Sequence, residues 1–200
     1  MFKRTFILIF LLMLGYFSAF SQTQSLTYQL FYHKKEIGTL KVTKIVEGNR
    51  SIYQNQTHIN TRILFSKIVV DYSYLVVFNK KKLSNAKVLI EVKGDKRSDT
   101  QTILKDGIYQ YYEDQKLINE LKSDITYSAV MLMLEEPVGI HSVYSEENGT
   151  FHSLKKIGEH VYEKTNDKNN VNEYAYKNGV LESGTINAGI ISFSMKLIDE

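Results

Sequence analysis

The sequence predicts an all-β domain whose mainly antiparallel strands follow one another as a curved meander sheet, forming a barrel or a half-barrel. Three observations predict this class: frequent two-residue turn signals, a composition with one proline and 14 tyrosines, and only one segment with helical periodicity. Glycine and asparagine tolerate the positive φ angles that two-residue hairpin turns require. Such pairs separate β-prone segments at Gly48-Asn49, Gly94-Asp95, Asp106-Gly107, Asn148-Gly149 and Asn178-Gly179.

The first 21 residues have the three parts of a secretory signal peptide. Lys3 and Arg4 supply the positive start, residues 6–17 are apolar apart from Gly15, and small residues precede a cleavage site after Ser21. An uncleaved anchor is the alternative, but a spanning helix needs about 20 apolar residues. We therefore expect a signal peptide at 1–21 and a single β-domain at 22–200. That domain is expected outside the cytoplasm, in the periplasm or secreted, with no membrane span after cleavage.

The mature chain reads as a succession of strands. They are expected at 25–33, 37–47, 50–60, 66–78, 83–93, 97–105, 108–112, 141–146, 150–156, 159–164, 171–177, 180–187 and 190–198. A two-residue turn also fixes the pairing next to it. The turns predict that Glu47 faces Arg50 and that Leu104 faces Tyr109. For the last turn, Tyr176 is expected opposite Leu181 and Tyr174 opposite Ser183.

One segment, residues 123–134, departs from this pattern and predicts a short helix. Ser123 is a plausible N-cap, and Pro137 and Gly139 end the pattern. Its apolar residues at helical spacing are Tyr127, Val130, Met131 and Leu134. Because apolar residues also occupy the opposite side, we expect the helix to be buried and to plug one opening of the curved sheet.

Composition and charge exclude several classes of function. The formal charge of +3 falls to +1 once Lys3 and Arg4 leave with the signal peptide, which is too little for a nucleic-acid-binding surface. The absence of cysteine excludes disulfides, thiolate zinc sites and cysteine nucleophiles. A hydrophobic fraction of 43% is sufficient for a folded core. We expect no cofactor and no nucleic-acid partner.

No motif indicates catalysis or metal binding. The histidines lack the spacing of a zinc-protease helix. His152 and His160 could meet across a hairpin and form a metal site with Glu135 or Glu136, but unrelated surface imidazoles are the favoured interpretation. In the Glu146-Glu147 doublet, adjacent strand residues point to opposite faces, so the doublet by itself does not indicate an acid–base pair, and glycosidase chemistry is left open without support. We predict no catalytic residues and no metal ligands, and an enzyme is the less favoured interpretation.

Glu136 is the most informative residue of the predicted helix end. Anions at a helix C-terminus oppose the helix dipole, so Glu135 and Glu136 require a reason. The reason is either an ion pair or exposure, or a ligand at which Glu136 points. The candidate ligand-binding residues are accordingly Glu136, Tyr127, Met131, Tyr174 and Tyr176.

Several motifs of the mature chain resemble a known family. They are Y-x8-I-G-T-L (Tyr28–Leu40), L-E-E-P-V-G (Leu134–Gly139), V-Y-S-E-E-N-G (Val143–Gly149), H-V-Y (His160–Tyr162) and N-E-Y-A-Y-K-N-G (Asn172–Gly179). Together they resemble a family of uncharacterised secreted proteins of Bacteroidetes-type bacteria, a domain of unknown function. The resemblance implies a small antiparallel β-domain in a Gram-negative cell envelope. The family has no established activity, so the resemblance implies no catalytic residue.

Three functions remain in competition. The favoured one is non-enzymatic binding of an apolar or amphiphilic ligand, such as a lipid, in the cell envelope. The alternative is a structural or interaction module that docks on an envelope protein or a glycan, and the third is a hydrolase with an unrecognised site. A cavity of a few hundred cubic ångströms would favour the first. An exposed aromatic patch would favour the second, and convergent polar groups with shifted pKa values would favour the third.

Overall fold

The computed structural model describes residues 21–63, 66–187 and 192–198. The predicted signal peptide at 1–21 lies outside the described residues apart from Ser21. The strands are β1 Gln22–Tyr32, β2 Lys35–Glu47, β3 Arg50–Ile63, β4 Ser66–Asn79, β5 Lys82–Val92, β6 Asp95–Lys105, β7 Ile108–Glu113, β8 Lys116–Leu121, β9 Ser142–Ser145, β10 Thr150–Gly158, β11 Val161–Thr165, β12 Val171–Lys177, β13 Val180–Asn187 and β14 Ser192–Leu197.

All fourteen strands form one antiparallel sheet in the order β8-β7-β6-β5-β4-β3-β2-β1-β14-β13-β12-β11-β10-β9. The prediction of an all-β antiparallel meander is therefore confirmed. The first and last strands pair in the middle of the sheet, with Tyr28 opposite Leu197. The two edges are consequently β8 and β9, which follow each other in the chain. No backbone ladder joins them within the described residues, so the sheet stays open.

Hairpin turns set the register near each turn as expected. Glu47 faces Arg50, and Leu104 faces Tyr109. Tyr176 faces Leu181, but Tyr174 faces Gly184 and not the predicted Ser183. The difference arises because a bulge between Ala175 and Tyr176 shifts the register by one residue.

Strand β8 was not predicted from the sequence. Its hairpin turn uses Asp114 and Gln115, which adopt φ angles of 48° and 65° without any glycine. Most of the strand is exposed on both faces, so it also lacks a clear alternation of buried and exposed residues. A turn without glycine or Asn-Gly, followed by a strand without alternation, gives little local signal.

The predicted helix at 123–134 is much shorter than expected. Only Ala129–Met133 is helical, as a 3-10 helix. The preceding residues are extended because their backbone bonds to the sheet: the Leu83 N–H donates to the Ile125 carbonyl and the Tyr144 N–H to the Tyr127 carbonyl. The position of the predicted N-cap also differs, since Ser128 occupies it, with no side-chain cap.

The predicted plug is nevertheless present. Residues 122–141, here called the crossing segment, connect β8 at one edge of the sheet to β9 at the other. Within it Val130, Met131 and Leu132 are buried. The Tyr28 hydroxyl donates to the Met133 carbonyl at 2.6 Å, and the Tyr176 hydroxyl donates to the Leu132 carbonyl at 2.8 Å. Tyrosines of the sheet thus satisfy carbonyls at the C-terminal end of the 3-10 helix, where backbone carbonyls lack partners within the helix.

The sheet curls around the crossing segment until strands far apart in the sheet touch. Thr102 on β6 hydrogen-bonds the Tyr144 hydroxyl on β9 at 2.8 Å. Tyr111 on β7 donates to the Glu147 carbonyl at 2.6 Å. Side chains rather than a strand ladder therefore bring the two ends of the sheet together. No helix among the described residues is long and apolar enough to span a membrane.

Candidate functional site

A cavity of about 630 Å³ lies between the 3-10 helix and the inner face of the sheet. Its walls come from β2, β3 and β4 on one side, from β9 to β14 on the other, and from the turn and loop at 146–149 and 166–170. Ala129, Val130 and Met133 of the 3-10 helix line it. The volume falls within the usual range of small-molecule sites.

Glu146 is the most deeply buried charged residue of the cavity wall, with 1% of its surface exposed. One carboxylate oxygen accepts a hydrogen bond from the Val130 N–H at 3.0 Å. The other, Oε2, has no hydrogen-bond partner among the described residues. Burial raises the pKa of the Glu146 carboxyl, against the smaller lowering effects of its own N–H, the Val130 N–H, the Ser128 hydroxyl and the Lys164 charge. The buried Ser128 hydroxyl is thus a neighbour of the carboxyl, but neither it nor Oε2 makes a hydrogen bond of standard geometry, so Oε2 keeps acceptor capacity towards the interior.

Two more polar groups of the wall are unpartnered. Thr150 Oγ1 and His152 Nδ1 are buried and have no hydrogen-bond partner among the described residues. Both residues lie on β10 two positions apart, so their side chains share the inner face of the strand. Burial, followed by the nearby Lys164 charge, lowers the pKa of His152 to about 4, so its imidazole is neutral at pH 7.

Glu147 also lines the cavity, beside Glu146. The Tyr74 hydroxyl on β4 donates to its Oε2 at 3.5 Å. Burial raises the pKa of Glu147, and the Lys164 charge partly offsets this. Both glutamates can face the same space because residues 146–149 form a turn and not a strand, so the alternation argument does not apply to them.

Gly149 fixes the position of this turn. Its φ angle is +67°, and an added Cβ would lie 2.4 Å from the Tyr111 ring. The ring packs directly over the glycine, while the Tyr111 hydroxyl holds the Glu147 carbonyl. The turn that carries both glutamates is thereby held against β7.

The remaining wall combines amides with apolar side chains. Asn55 is buried and accepts a hydrogen bond from Thr57 at 2.8 Å. Asn172 accepts from the Asn187 N–H at 2.8 Å and donates to the Tyr174 hydroxyl at 3.4 Å. The apolar part of the wall consists of Leu40, Ala129, Val130, Met133, Ile186 and Phe193.

The predicted ligand residue Glu136 lies elsewhere, in a cluster whose polar groups have partners. His160 Nδ1 lies 3.0 Å from the Glu136 carboxylate, and the Tyr162 hydroxyl donates to it at 2.9 Å. Burial acts to raise the pKa of Glu136, but these hydrogen bonds bring it below the usual value. Its neighbour Glu135 accepts from Lys44 at 2.6 Å and from Tyr53 at 3.1 Å. We call these six residues the paired region.

The other predicted residues divide between the core and the cavity. The Tyr127 hydroxyl donates to the Glu135 carbonyl at 3.1 Å, and the Tyr176 hydroxyl bonds the 3-10 helix. Met131 is buried in the core. Only Tyr174 lines the cavity. Sequence reasoning therefore found one wall residue of the five and missed Glu146, Thr150 and His152.

The alternative metal site of the sequence analysis does not assemble as envisaged. His160 contacts Glu136 in the paired region, while His152 is buried in the cavity wall. Among the residues that the structure describes, no group of three or more histidine and acidic side chains is placed to hold a metal ion. The two histidines belong to different regions.

A comparison with known families places the chain. The family described as "Domain of unknown function (DUF6134)" matches residues 28–198, which cover β1 from Tyr28 onward, β2 to β14 and the whole cavity wall. No curated protein and no solved structure matches the chain.

Proposed function

We propose that this chain, which belongs to the DUF6134 family, is a non-enzymatic binding protein that holds a small amphiphilic molecule in its cavity. The supporting observation is that the cavity wall has a polar part and an apolar part. Glu146, Thr150 and His152 present buried, unpartnered polar atoms, whereas Met133 and Phe193 present apolar surface. Buried polar groups without partners are costly in a folded protein, and a bound ligand supplies the missing partners.

The proposal includes a location outside the cytoplasm. It rests on the signal-peptide pattern of residues 1–21. An amphiphile of the cell envelope is then the accessible kind of ligand. The competing docking module would need an exposed aromatic patch. The exposed large hydrophobic side chains of the described residues are all aliphatic, from Leu75 to Ile198.

Native mass spectrometry of the protein purified from the cells that make it tests this proposal. We expect a ligand mass to accompany the wild-type chain. Ala129→Leu should reduce the bound fraction, because Ala129 lines the cavity and a larger side chain would fill part of it. Ala175→Leu is the matched control, since Ala175 is equally half-buried but lies outside the cavity wall. Equal retention by both variants, or a ligand-free wild type that also binds no added amphiphile, would refute the proposal.

Hydrolysis is the second candidate, and one observation favours it. Glu146, Glu147 and His152 all line the cavity and all have shifted pKa values, a combination frequent in active sites. A turnover assay with 4-nitrophenyl glycosides tests it. Release of nitrophenol by the wild type, lost in Glu146→Gln, would establish an enzyme. Absence of turnover under conditions in which the ligand binds would leave binding as the function.

A further inference from the structure

We infer that the polar end of the ligand is an uncharged group with several hydroxyls, of the saccharide or polyol type, held by Glu146, Thr150 and His152. This inference rests on the proposed function and specifies the chemistry of its ligand. Three independent properties of the wall support it: the kinds of unpartnered atoms, the balance of charges, and the amide-rich surroundings.

The unpartnered atoms call for a group that both donates and accepts hydrogen bonds. Glu146 Oε2 can accept, and it also donates if its carboxyl is protonated. Thr150 Oγ1 can donate and accept, and neutral His152 Nδ1 does one or the other depending on the tautomer. A ligand hydroxyl does both. Because Thr150 and His152 are two positions apart on one strand, their side chains are separated by about 7 Å. Separate hydroxyls of one ligand match such spacing.

The charges of the wall disfavour a charged ligand. Three acidic residues and two lysines line the cavity: Glu146, Glu147, Asp167, Lys164 and Lys168. The Lys164 charge already acts on both glutamates and on His152, as their pKa values record. The Lys164 charge beside the glutamates would repel a cationic ligand group, and the glutamates would repel an anionic one. An uncharged polar group avoids both repulsions.

The surroundings are rich in side-chain amides, which pair well with hydroxyls. Asn55 and Asn172 lie in the wall with Tyr74 and Tyr174 near them. The oxygens of both amides already accept one hydrogen bond within the protein, and each can accept a second one from a ligand hydroxyl. The apolar side chains Leu40, Met133 and Phe193 are left for the ligand's hydrocarbon part. This arrangement fits an alkyl glycoside or a glycolipid.

Calorimetric titration of the full chain with three amphiphiles of equal chain length tests the inference. The probes are n-octyl β-glucoside, octyltrimethylammonium and octanoate, each below its micelle concentration. We expect the glucoside to bind most tightly, by at least about tenfold. Tighter binding of either charged probe would overturn the hydroxyl assignment while leaving amphiphile binding intact. Failure of all three to bind would instead remove the proposed function itself.

Two substitutions locate the hydroxyl-binding atoms. Thr150→Val removes the unpartnered hydroxyl at nearly constant shape and should weaken glucoside binding about fivefold, the effect of one lost hydrogen bond. Glu146→Gln should weaken it about tenfold, because an amide N–H₂ group that cannot accept replaces one carboxyl oxygen.

The matched controls are Thr185→Val, an exposed position of β13, and Glu136→Gln in the paired region. Both should bind the glucoside as the wild type does. Circular dichroism of each variant confirms folding. Folded Thr150→Val and Glu146→Gln proteins that bind the glucoside with wild-type affinity would refute the inference.

Discussion

The paired region and the cavity each bring a glutamate into the interior of the same sheet, but they treat it differently. Glu136 receives hydrogen bonds from both His160 and Tyr162. Glu146 is more buried, yet only one of its oxygens has a partner. A carboxylate whose bonds are complete stabilises the fold, whereas a buried one with an unused oxygen indicates a place for a ligand. The comparison therefore supports placing the proposed ligand at Glu146, and it gives Glu136 partners within the protein.

The largest expected effect is on folding stability, and it distinguishes the side of the 3-10 helix that packs in the core from the side that lines the cavity. Leu132 is fully buried in the core, and its replacement by alanine should lower the free energy of unfolding by about 2–5 kcal/mol. Met133 faces the cavity and is half-buried, so Met133→Ala should lower it by less and weaken ligand binding more. Urea unfolding measures both. Equal losses of stability would mean that the helix does not divide a packed side from an open one.

Two turn glycines extend the comparison, one beside the paired region and one in the turn that carries the cavity glutamates. Gly179 has a φ angle of +79° and open space around it, and its carbonyl accepts from the Glu136 N–H in the paired region. Gly179→Ala should cost about 1–2 kcal/mol, for the left-handed conformation alone. Gly149→Ala adds a collision with the Tyr111 ring, which should cost about 1–3 kcal/mol more. Thermal or urea unfolding of both variants gives the difference. Equal costs would show that Tyr111 does not hold the turn of Glu146 and Glu147.

A third pair concerns tyrosine hydroxyls. Tyr176→Phe leaves the buried Leu132 carbonyl without its donor and should cost about 1–3 kcal/mol. Tyr74→Phe removes a bond of 3.5 Å to Glu147 at the cavity, which is long enough that stability should change by less than about 0.5 kcal/mol. Denaturant midpoints test the contrast. A larger loss for Tyr74→Phe would place structural hydrogen bonding in the cavity and contradict the comparison.

The sequence predicts those features of the structure that residues close together in the chain determine, and it does not predict those that depend on contacts between residues far apart in the chain. The Asn178-Gly179 turn predicts the pairing of Tyr176 with Leu181, because the turn alone determines it. The bulge that moves Tyr174 opposite Gly184 has no comparable local signal. The apolar residues at helical spacing in 127–134 are buried as expected, but the segment before Ala129 is not helical because the Ile125 and Tyr127 carbonyls bond to β5 and β9.

The candidate site was harder to predict for a related reason. The Glu146-Glu147 doublet is visible in the sequence, but alternation along a strand places its members on opposite faces. The structure places them in a turn held by Tyr111, a contact between residues distant in the chain. Conversely, Glu136 drew attention because an acidic residue at a predicted helix C-terminus is unfavourable. In the structure His160, which is distant in the chain, contacts its carboxylate. Partners of buried charges depend on tertiary contacts, which local patterns do not contain.

The pH dependence of stability should have opposite signs for the two glutamates. The pKa of Glu136 is lowered by folding, so its contribution is present above about 4.5 and is lost as the pH falls through the lowered value. The pKa of Glu146 is raised, so its contribution is present below about 4.5 and is lost as the pH rises through the raised value. At pH 7, Glu136→Gln should therefore destabilise the ligand-free protein and Glu146→Gln should stabilise it. Changes of the same sign in urea unfolding would contradict this assignment.

His152 adds a separate pH window. Its pKa falls from 6.5 to about 4 on folding, so the stability it contributes is present above about pH 6.5 and is lost as the pH falls towards 4. In His152→Gln the decline of stability between these values should be shallower than in the wild type. An unchanged slope in His152→Gln would mean that His152 is not held neutral in the cavity.

The most direct test of the site assignment is NMR observation of the glutamate side-chain carboxyl carbons during titration with n-octyl β-glucoside. Binding in the cavity predicts that the Glu146 signal shifts and saturates with the titration, while the Glu136 signal keeps its position because His160 and Tyr162 hold that carboxylate. A Glu136 signal that moves with the ligand while the Glu146 signal stays fixed would contradict the assignment and return the site to the paired region.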